Sequence, residues 1–142
     1  MPEGSIRFHS IDLKFSPKNK TQIIHWLQSA ILNEGRRLGD LEFSFMSDSA
    51  LLEINKNHLN HDYYTDIISF EYNEADIISG DILISIDRVQ ENAREFKVNF
   101  LDELHRVIIH GVLHLCGYKD KTEAERLNMR AKEDYYLSLR SF

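Results

Sequence analysis

Residues 107–120 read Val-Ile-Ile-His-Gly-Val-Leu-His-Leu-Cys-Gly-Tyr-Lys-Asp and predict a buried helix that ends in a sharp turn. Apolar residues occupy nearly every side of this helix, which is typical of a segment surrounded by core. His110 and His114 are four residues apart, so their side chains project from one face of the helix. Gly117 suits a left-handed helix end, after which the chain can turn back and bring Asp120 towards the two imidazoles.

The spacing His-x3-His-x5-Asp therefore predicts a three-ligand metal site with a fourth position left open for a water. A histidine pair at this spacing also arises by chance, but buried imidazoles need polar partners, and a metal supplies them. Gly111 occupies the position at which the zinc-protease signature H-E-x-x-H carries its Glu. The general base of that chemistry is missing, which argues against a peptidase of this type.

The rest of the chain alternates between strand and helix patterns. Strands are predicted over residues 5–13, 41–46, 66–72 and 80–86. Helices are predicted over residues 21–38, 48–57, 88–96 and 100–116, and from residue 123 onwards. Residues 57–65 are polar and predict a functional loop. These elements predict an α+β domain that spans residues 1–142, in which a mixed sheet of about four strands packs with about five helices.

Local signals set the expected ends of the helices. Asn19 or Thr21 is expected to cap the first helix, and Gly39 with Asp40 to break it. The expected cap of the second helix is Ser47 or Asp48. Asp87 is expected to cap the third helix, and residues 122–125 are expected to form a capping box at the start of the last helix. The first helix is expected to bury one face, made of Ile23, Ile24, Trp26, Leu27, Ile31 and Leu32.

The composition is that of a soluble globular domain, with 142 residues, of which 42% are hydrophobic and 28% charged. No apolar stretch approaches the length of a membrane span, and residues 1–5 lack the features of a secretory signal. Cys116 is the only cysteine, which rules out a disulfide within the chain and favours a reducing cytoplasm. Its side chain is expected to be a small buried apolar group.

A net charge of −6 argues mildly against nucleic-acid binding, because affinity for phosphate comes from Lys and Arg. The distribution of charge matters more than its sum. Lys119 and Lys121 flank Asp120, and Arg106 lies one helical turn before His110. The first third of the chain adds Lys14, Lys18, Lys20, Arg36 and Arg37. A basic rim around a metal cleft is one interpretation, and solvated surface charge is the simpler one for any single residue.

Four sequence blocks resemble the YbeY family, the metal-dependent endoribonucleases of rRNA maturation. The stretch His-Gly-Val-Leu-His-Leu-Cys-Gly-Tyr over residues 110–118 is similar to the family signature H-G-x-L-H-L-x-G-Y-D-H. Residues 65–70, Thr-Asp-Ile-Ile-Ser-Phe, resemble the family's T-D-V-L-S-F, and Gly-Asp-Ile over residues 80–82 resembles its G-D-I. The C-terminal helix resembles the family's at Glu125, Met129 and Glu133. The matches run in order from about residue 54 to the C-terminus.

The chain departs from the family pattern at two positions. Lys119 and Asp120 stand where the family has Asp and His, so a carboxylate replaces the third histidine ligand. Carboxylate oxygen is an ordinary zinc ligand, so the geometry survives while the charge of the site falls by one unit. Leu59 stands where the family has a basic residue, usually Arg, that is associated with substrate. Lys56, His58 and His61 are nearby candidates to replace it, but the sequence does not place them in the cleft, and the family's arginine role is transferred to no residue here.

The resemblance implies a metal-dependent endoribonuclease that cleaves single-stranded RNA in small-subunit rRNA processing and ribosome quality control. It implies that His110, His114 and Asp120 bind one divalent metal. Zinc is favoured, with manganese or iron as alternatives because of the carboxylate. Asp66 and Ser69 are candidates for the cleft wall, whereas His105 lies off the face of the two histidines. The implied partners are rRNA and the ribosome, in the cytoplasm and away from membranes.

Two other functions remain open at this level. The first is a ribosome-associated binding protein with a structural metal and no cleavage of its own, which the net acidity and the loss of the basic residue at Leu59 favour. The second is a peptidase or other hydrolase built on the same triad, which Gly111 argues against. The sequence assigns no general acid or base and leaves the oligomeric state undetermined.

Overall fold

The computed structural model describes residues 4–60 and 64–142. Within them the chain forms four strands and five helices, which confirms the predicted α+β class. The strands are β1 (Ser5–Ser10), β2 (Arg37–Met46), β3 (Ile67–Glu71) and β4 (Ile77–Ser85). The helices are α1 (Lys20–Asn33), α2 (Asp48–Leu59), α3 (Ile86–Phe96), α4 (Phe100–Leu115) and α5 (Glu123–Ser138).

The sheet is mixed and has the strand order β1-β2-β4-β3. Strands β1, β2 and β4 run parallel, and β3 pairs antiparallel with β4. Because side chains alternate along a strand, the two faces of the sheet bury different residues. Phe43 and Ile82 join α1 and α4 in the main core. Leu83 and Ile68 pack with Leu51 of α2 in a smaller cluster. Helices therefore cover both faces of the sheet.

Helix α4 is the most buried helix of the fold, as its sequence predicts. It packs on β3 and β4, and Gly111 lies at the point of contact. A Cβ atom on Gly111 would lie 3.0 Å from Cδ1 of Ile67 and 3.0 Å from Cγ2 of Ile82. Glycine therefore lets the helix lie close to the sheet, and the adjacent side of α4 carries the two histidines of the predicted metal site.

The predicted end of α1 is wrong by five residues. The helix ends at Asn33 and not near Leu38, because Gly35 adopts a φ of +75° and the backbone N–H of Arg36 donates to Ile31. Residues 37 and 38 belong instead to β2, where they pair with residues 77 and 78 of β4. Leu32, expected in the buried face, is 68% exposed.

Three of the four caps agree with the sequence and one does not. Asn19 occupies the N-cap position of α1, although its side chain makes no capping hydrogen bond, Ser47 caps α2, and Thr122 forms the predicted capping box of α5. The cap of α3 is Ser85 and not Asp87. The Asp87 carboxylate instead accepts a hydrogen bond from the backbone N–H of Asp48, at the start of α2.

Two further expectations concern the polar loop and membranes. Residues 57–59 of the predicted loop form the last turn of α2, and residues 61–63 lie outside the described residues. In the described part of the chain, every helix is too short or too polar to cross a membrane.

Candidate metal centre

The three predicted ligands lie together at the C-terminal end of α4. Nε2 of His110 is 3.3 Å from Oδ2 of Asp120, and Nε2 of His114 is 3.4 Å from Oδ1 of the same carboxylate. One nitrogen or oxygen atom from each of the three residues lies within 4.8 Å of the other two. The side chains are 20%, 34% and 37% exposed in the order His110, His114, Asp120, so the site is half-open to solvent.

The turn that returns Asp120 to the histidines depends on Gly117, whose φ of +108° lies in the left-handed region. The backbone N–H of Tyr118 donates to the carbonyl of Leu113, and the Arg36 guanidinium donates to the carbonyl of Cys116. These bonds satisfy carbonyl groups at the end of α4 that the helix leaves unpaired. The histidine face and the carboxylate are therefore joined by an anchored turn.

A further hydrogen bond holds the same turn from Glu34, the residue that follows α1. The hydroxyl of Tyr118 donates to Oε1 of Glu34 at 2.7 Å. Oε2 of Glu34 accepts a hydrogen bond from the hydroxyl of Tyr136. Burial raises the pKa of Glu34, but the hydrogen bonds from Tyr136 and Tyr118 and the charge of Lys132 outweigh it and lower the pKa overall. An ionised Glu34 thus links α1, the turn before Asp120 and α5.

Cys116 is buried at the end of α4, as the sequence predicts. Burial, with the charge of Glu34, raises the pKa of its thiol to about 11. The thiolate that metal binding or nucleophilic attack requires is therefore disfavoured.

Glu133 of α5 orients the first histidine of the site. Its Oε2 atom accepts a hydrogen bond from Nδ1 of His110 at 2.6 Å, because an ionised carboxylate can only accept. This bond holds a proton on Nδ1, so Nε2, which faces Asp120, is the nitrogen that the neutral imidazole would offer to a metal. A carboxylate that fixes the tautomer of a histidine ligand is a recurrent partner in metal sites.

Sequence reasoning noted Glu133 as a family match and missed its role. The available signal was its position four residues after Met129 on one face of α5, where both side chains are buried. A Glu at a core position needs a partner of opposite charge or a hydrogen-bond donor. The Arg106 guanidinium supplies the charge, through Nη1 to Glu133 at 2.9 Å and Nη2 to Asp134 at 2.7 Å.

The electrostatics of the site follow from burial and from these carboxylates. Burial lowers the pKa of His110, but the hydrogen bond and charge of Glu133, helped by Asp120 and Asp66, outweigh it and raise the pKa. Burial also raises the pKa of Asp66, more than the neighbouring His110 lowers it. Burial and the charge of Asp66 raise the pKa of Glu103. Acidic groups are thus concentrated around the triad.

The triad opens into a cleft of about 420 Å³. Asp66 and Ser69, predicted for the cleft wall, both line it, together with Asn92. The side-chain amide of Asn92 donates to Asp66 at 3.3 Å. Strand β3 and helices α3, α4 and α5 all contribute to the lining, so the cleft lies where these elements meet.

Several predicted residues lie away from this cleft. His105 is buried between Trp26 and Phe142 and accepts a hydrogen bond from Arg140, so it has no contact with the triad. Leu59 ends α2 and is 38% exposed. None of Leu59, Lys56, His58, Lys119 and Lys121 lines the cleft, and His61 lies outside the described residues.

The donor atoms suit a divalent metal. Zinc bound to nitrogen or oxygen at about 2.0–2.1 Å in a tetrahedron separates its ligand atoms by roughly 3.3–3.4 Å. Each imidazole lies at about this spacing from a different oxygen of Asp120, Nε2 of His110 from Oδ2 at 3.3 Å and Nε2 of His114 from Oδ1 at 3.4 Å. Two imidazoles and a carboxylate also suit manganese or iron. The residues present therefore fit a metal with an open coordination position that faces the cleft.

Comparison with known proteins agrees with this geometry. The family profile described as Endoribonuclease YbeY matches residues 5–140. The chain belongs to the YbeY family. The match covers the N-terminal third as well, where the short motifs gave no resemblance.

Two YbeY relatives illustrate the similarity. The protein named Endoribonuclease YbeY from Flavobacterium psychrophilum is 53% identical over 128 residues, which is 90% of this chain and 91% of that protein. The one from Cytophaga hutchinsonii is 48% identical over 143 residues and the full length of both chains. A Thermotoga maritima protein with a solution structure is 28% identical in sequence to this chain. The match covers 94% of this chain and 87% of that protein, and the two structures superpose with a TM-score of 0.66.

Proposed function

We propose that this chain is a metal-dependent endoribonuclease that cleaves single-stranded RNA. The observation that carries the proposal is the convergence of His110, His114 and Asp120 on one point of an open cleft. The relatives from Flavobacterium psychrophilum and Cytophaga hutchinsonii bear the name endoribonuclease. The proposal extends to small-subunit rRNA processing and ribosome quality control, with the ribosome as partner and the cytoplasm as the setting.

In this proposal the three residues hold one divalent metal, with zinc favoured over manganese or iron. A metal so held supplies Lewis acidity, which polarises a phosphate oxygen and lowers the pKa of a bound water. Glu133 keeps the proton of His110 on Nδ1 and thereby presents Nε2 to the open site. The Glu34–Tyr118 bond keeps Asp120 opposite the two histidines. No residue is assigned as the general acid or base.

The exposure of the triad argues for a catalytic rather than a structural metal. Structural zinc sites are closed by four protein ligands, whereas catalytic sites leave one position to water or substrate. Here the described residues offer three ligands, and each is at least 20% exposed. The main core packs without them. A binding protein with a structural metal is therefore the less favoured alternative.

Gly111 argues against the peptidase alternative on steric grounds. A side chain at this position would enter the contact with Ile67 and Ile82, on the sheet side of α4. A Glu there would have to displace Ile67 and Ile82, both of which lie 3.0 Å from the position of its Cβ atom. The base of H-E-x-x-H chemistry therefore has no place at this position.

The test is cleavage of a labelled single-stranded RNA by metal-stripped protein, before and after zinc or manganese is added. His114→Ala is compared with His58→Ala, which removes an exposed imidazole on α2 that does not line the cleft. We expect metal-restored cleavage by the native chain and by His58→Ala, and none by His114→Ala. Equal cleavage by all three would indicate a contaminating ribonuclease, and none by the metal-loaded native chain would contradict the proposal.

The same samples distinguish a nuclease with a catalytic metal from a binding protein with a structural metal. Removal of a catalytic metal should leave the melting temperature largely unchanged, because the main core packs without the triad. Removal of a structural metal should unfold the chain. A native chain that binds metal, loses its fold on metal removal and cleaves no RNA would favour the binding protein.

A further inference from the structure

The proposed substrate is a polyanion, yet the cleft that would receive it is rich in acid. Four carboxylates line it, those of Asp66, Glu103, Asp120 and Glu133. Burial raises the pKa of Asp66 and of Glu103. Binding of a phosphate backbone depends on cationic side chains that release its counterions. To bind RNA, the cleft therefore needs a cationic side chain that is not already paired with one of these carboxylates.

Within residues 4–60 and 64–142, two guanidinium groups line the cleft, those of Arg106 and Arg130. The guanidinium of Arg106 is already paired with two carboxylates. Arg106 places Nη1 at 2.9 Å from Glu133 and Nη2 at 2.7 Å from Asp134. Its side chain is only 23% exposed. Release of Arg106 towards a phosphate would leave the buried Glu133 without its close ion pair, which is costly. Arg106 is therefore a structural cation.

Arg130 differs from Arg106 in the exposure of its side chain and in the length of its ion pair. It lies on α5 one turn before Glu133, and its side chain is 54% exposed. Its ion pair is long, 3.8 Å from Nη1 to Oε1 of Glu133. Glu133 keeps its close pair with Arg106 when Arg130 moves away, so the Arg130 guanidinium can turn to a ligand at small cost.

The position of Arg130 relates it directly to the triad. Glu133 contacts Arg130 through Oε1 and His110 through Oε2, so one carboxylate separates the guanidinium from the first proposed metal ligand. A guanidinium offers paired N–H donors that match two phosphate oxygens. A phosphate at Arg130 would thus belong to the same strand that crosses the triad.

We propose that Arg130 binds a phosphate group of the RNA and positions the strand across the metal centre. This inference rests on the proposed function, because it names how that site holds its substrate. Arg130 supplies binding through charge and paired hydrogen bonds and takes no part in bond cleavage.

The test compares Arg130→Gln with Arg94→Gln in the metal-loaded full-length protein. Arg94 is the control, since it is also an exposed helical Arg paired with a Glu three residues away, at 3.3 Å from Glu91, and does not line the cleft. Binding to a labelled single-stranded RNA is followed by fluorescence anisotropy over a series of salt concentrations, with the RNA checked for cleavage on a gel. Steady-state cleavage by each variant gives kcat and KM separately.

We expect Arg130→Gln to weaken RNA binding and to reduce the slope of log affinity against log salt by about 0.7, the contribution of one phosphate contact on a single strand. KM should rise about five- to tenfold with kcat changed less than twofold, as expected for a lost binding contact. Arg130→Lys should retain most of the salt slope. Arg94→Gln should behave as the native chain.

The outcomes separate this inference from the proposed function. Cleavage by the native chain with the same salt slope and KM in Arg130→Gln overturns the role of Arg130 and leaves the nuclease intact. RNA binding without cleavage, with a slope that falls in Arg130→Gln, supports the role of Arg130 and contradicts the nuclease. A native chain that neither binds nor cleaves RNA overturns both.

Discussion

Nδ1 of His110 lies 2.6 Å from Oε2 of Glu133, and the two residues come from different helices, α4 and α5. The bond fixes which nitrogen of His110 is available to a ligand. Because Glu133 is buried and also paired with Arg106, its carboxylate cannot easily turn away. The orientation of one proposed ligand therefore depends on the packing of the C-terminal helix.

The first prediction concerns this bond. Glu133→Gln removes the charge that fixes the tautomer of His110 and should weaken metal affinity about 10- to 100-fold. Asp134→Asn is the control, because Asp134 also accepts from Arg106 but has no bond to His110. Competition with a chromogenic zinc chelator measures both. Equal affinities in the two variants would contradict the role of Glu133.

The second prediction concerns the carboxylate ligand. With Asp120, a divalent metal in the site keeps a net charge of about +1, and with a third neutral histidine it keeps about +2. Asp120→His should therefore acidify a bound water more strongly and move the alkaline rise of the pH–rate profile to lower pH. It should also reduce the tolerance for manganese and iron relative to zinc. Identical pH profiles and metal preferences in the native chain and the variant would count against this.

The third prediction concerns the contact of α4 with the sheet. Gly111→Ala places a methyl group 3.0 Å from Cδ1 of Ile67 and from Cγ2 of Ile82, so the free energy of unfolding should fall by about 1–3 kcal/mol. Ile67→Val removes one of the two clashing atoms and should recover part of the loss. Urea denaturation of both single variants and the double variant measures this coupling. If the two substitutions changed the free energy of unfolding by strictly additive amounts, the contact between residue 111 and Ile67 would not be tight.

The fourth prediction concerns His105, which is buried away from the cleft. Burial, with the charge of Arg140, lowers its pKa from 6.5 to about 4, and Asp102 opposes the shift. Between these values the unfolded chain takes up a proton that the folded chain does not. The stability from the neutral imidazole is therefore complete above pH 6.5 and is lost as the pH falls towards 4.

Between pH 7 and pH 5 this loss should reach about 2 kcal/mol in the native chain and be largely absent from His105→Gln. His25→Gln, which removes an exposed imidazole of α1, should lose stability as the native chain does. Chemical denaturation at each pH provides the measurement. A native chain and a His105→Gln variant with the same pH dependence would show that His105 does not titrate in this way.

The part of the site that spacing alone predicts is local in sequence, whereas Asp66 and Ser69 of the cleft wall are predicted only through the family resemblance. His110 and His114 lie on one helix, and Gly117 returns the chain, so spacing and turn chemistry suffice to bring Asp120 to them. Glu133 could not be paired with His110 in the same way. Its bond depends on how α5 packs against α4, which the periodicity of either helix does not specify.

The errors in the predicted helix ends also come from contacts between segments that are distant in sequence. Gly35 and Gly39 are both plausible helix ends from sequence, and the choice of Gly35 depends on β2 pairing with β4 from residue 37 onwards. Likewise, Ser85 and Asp87 both suit a helix cap. Asp87 is instead used by the first turn of α2, a contact between segments 39 residues apart. Long-range pairing overrode two reasonable local signals.

The separation between the triad and Glu133 has a consequence for the order in which the site matures during synthesis. The three proposed ligands fall within residues 110–120, so they leave the ribosome before α5 does. A nascent chain that lacks α5 holds the imidazole of His110 without its carboxylate and should capture an ion only weakly. Packing of α5 on α4 would then tighten the site, so tight metal retention would report that α5 has been translated and has folded against α4.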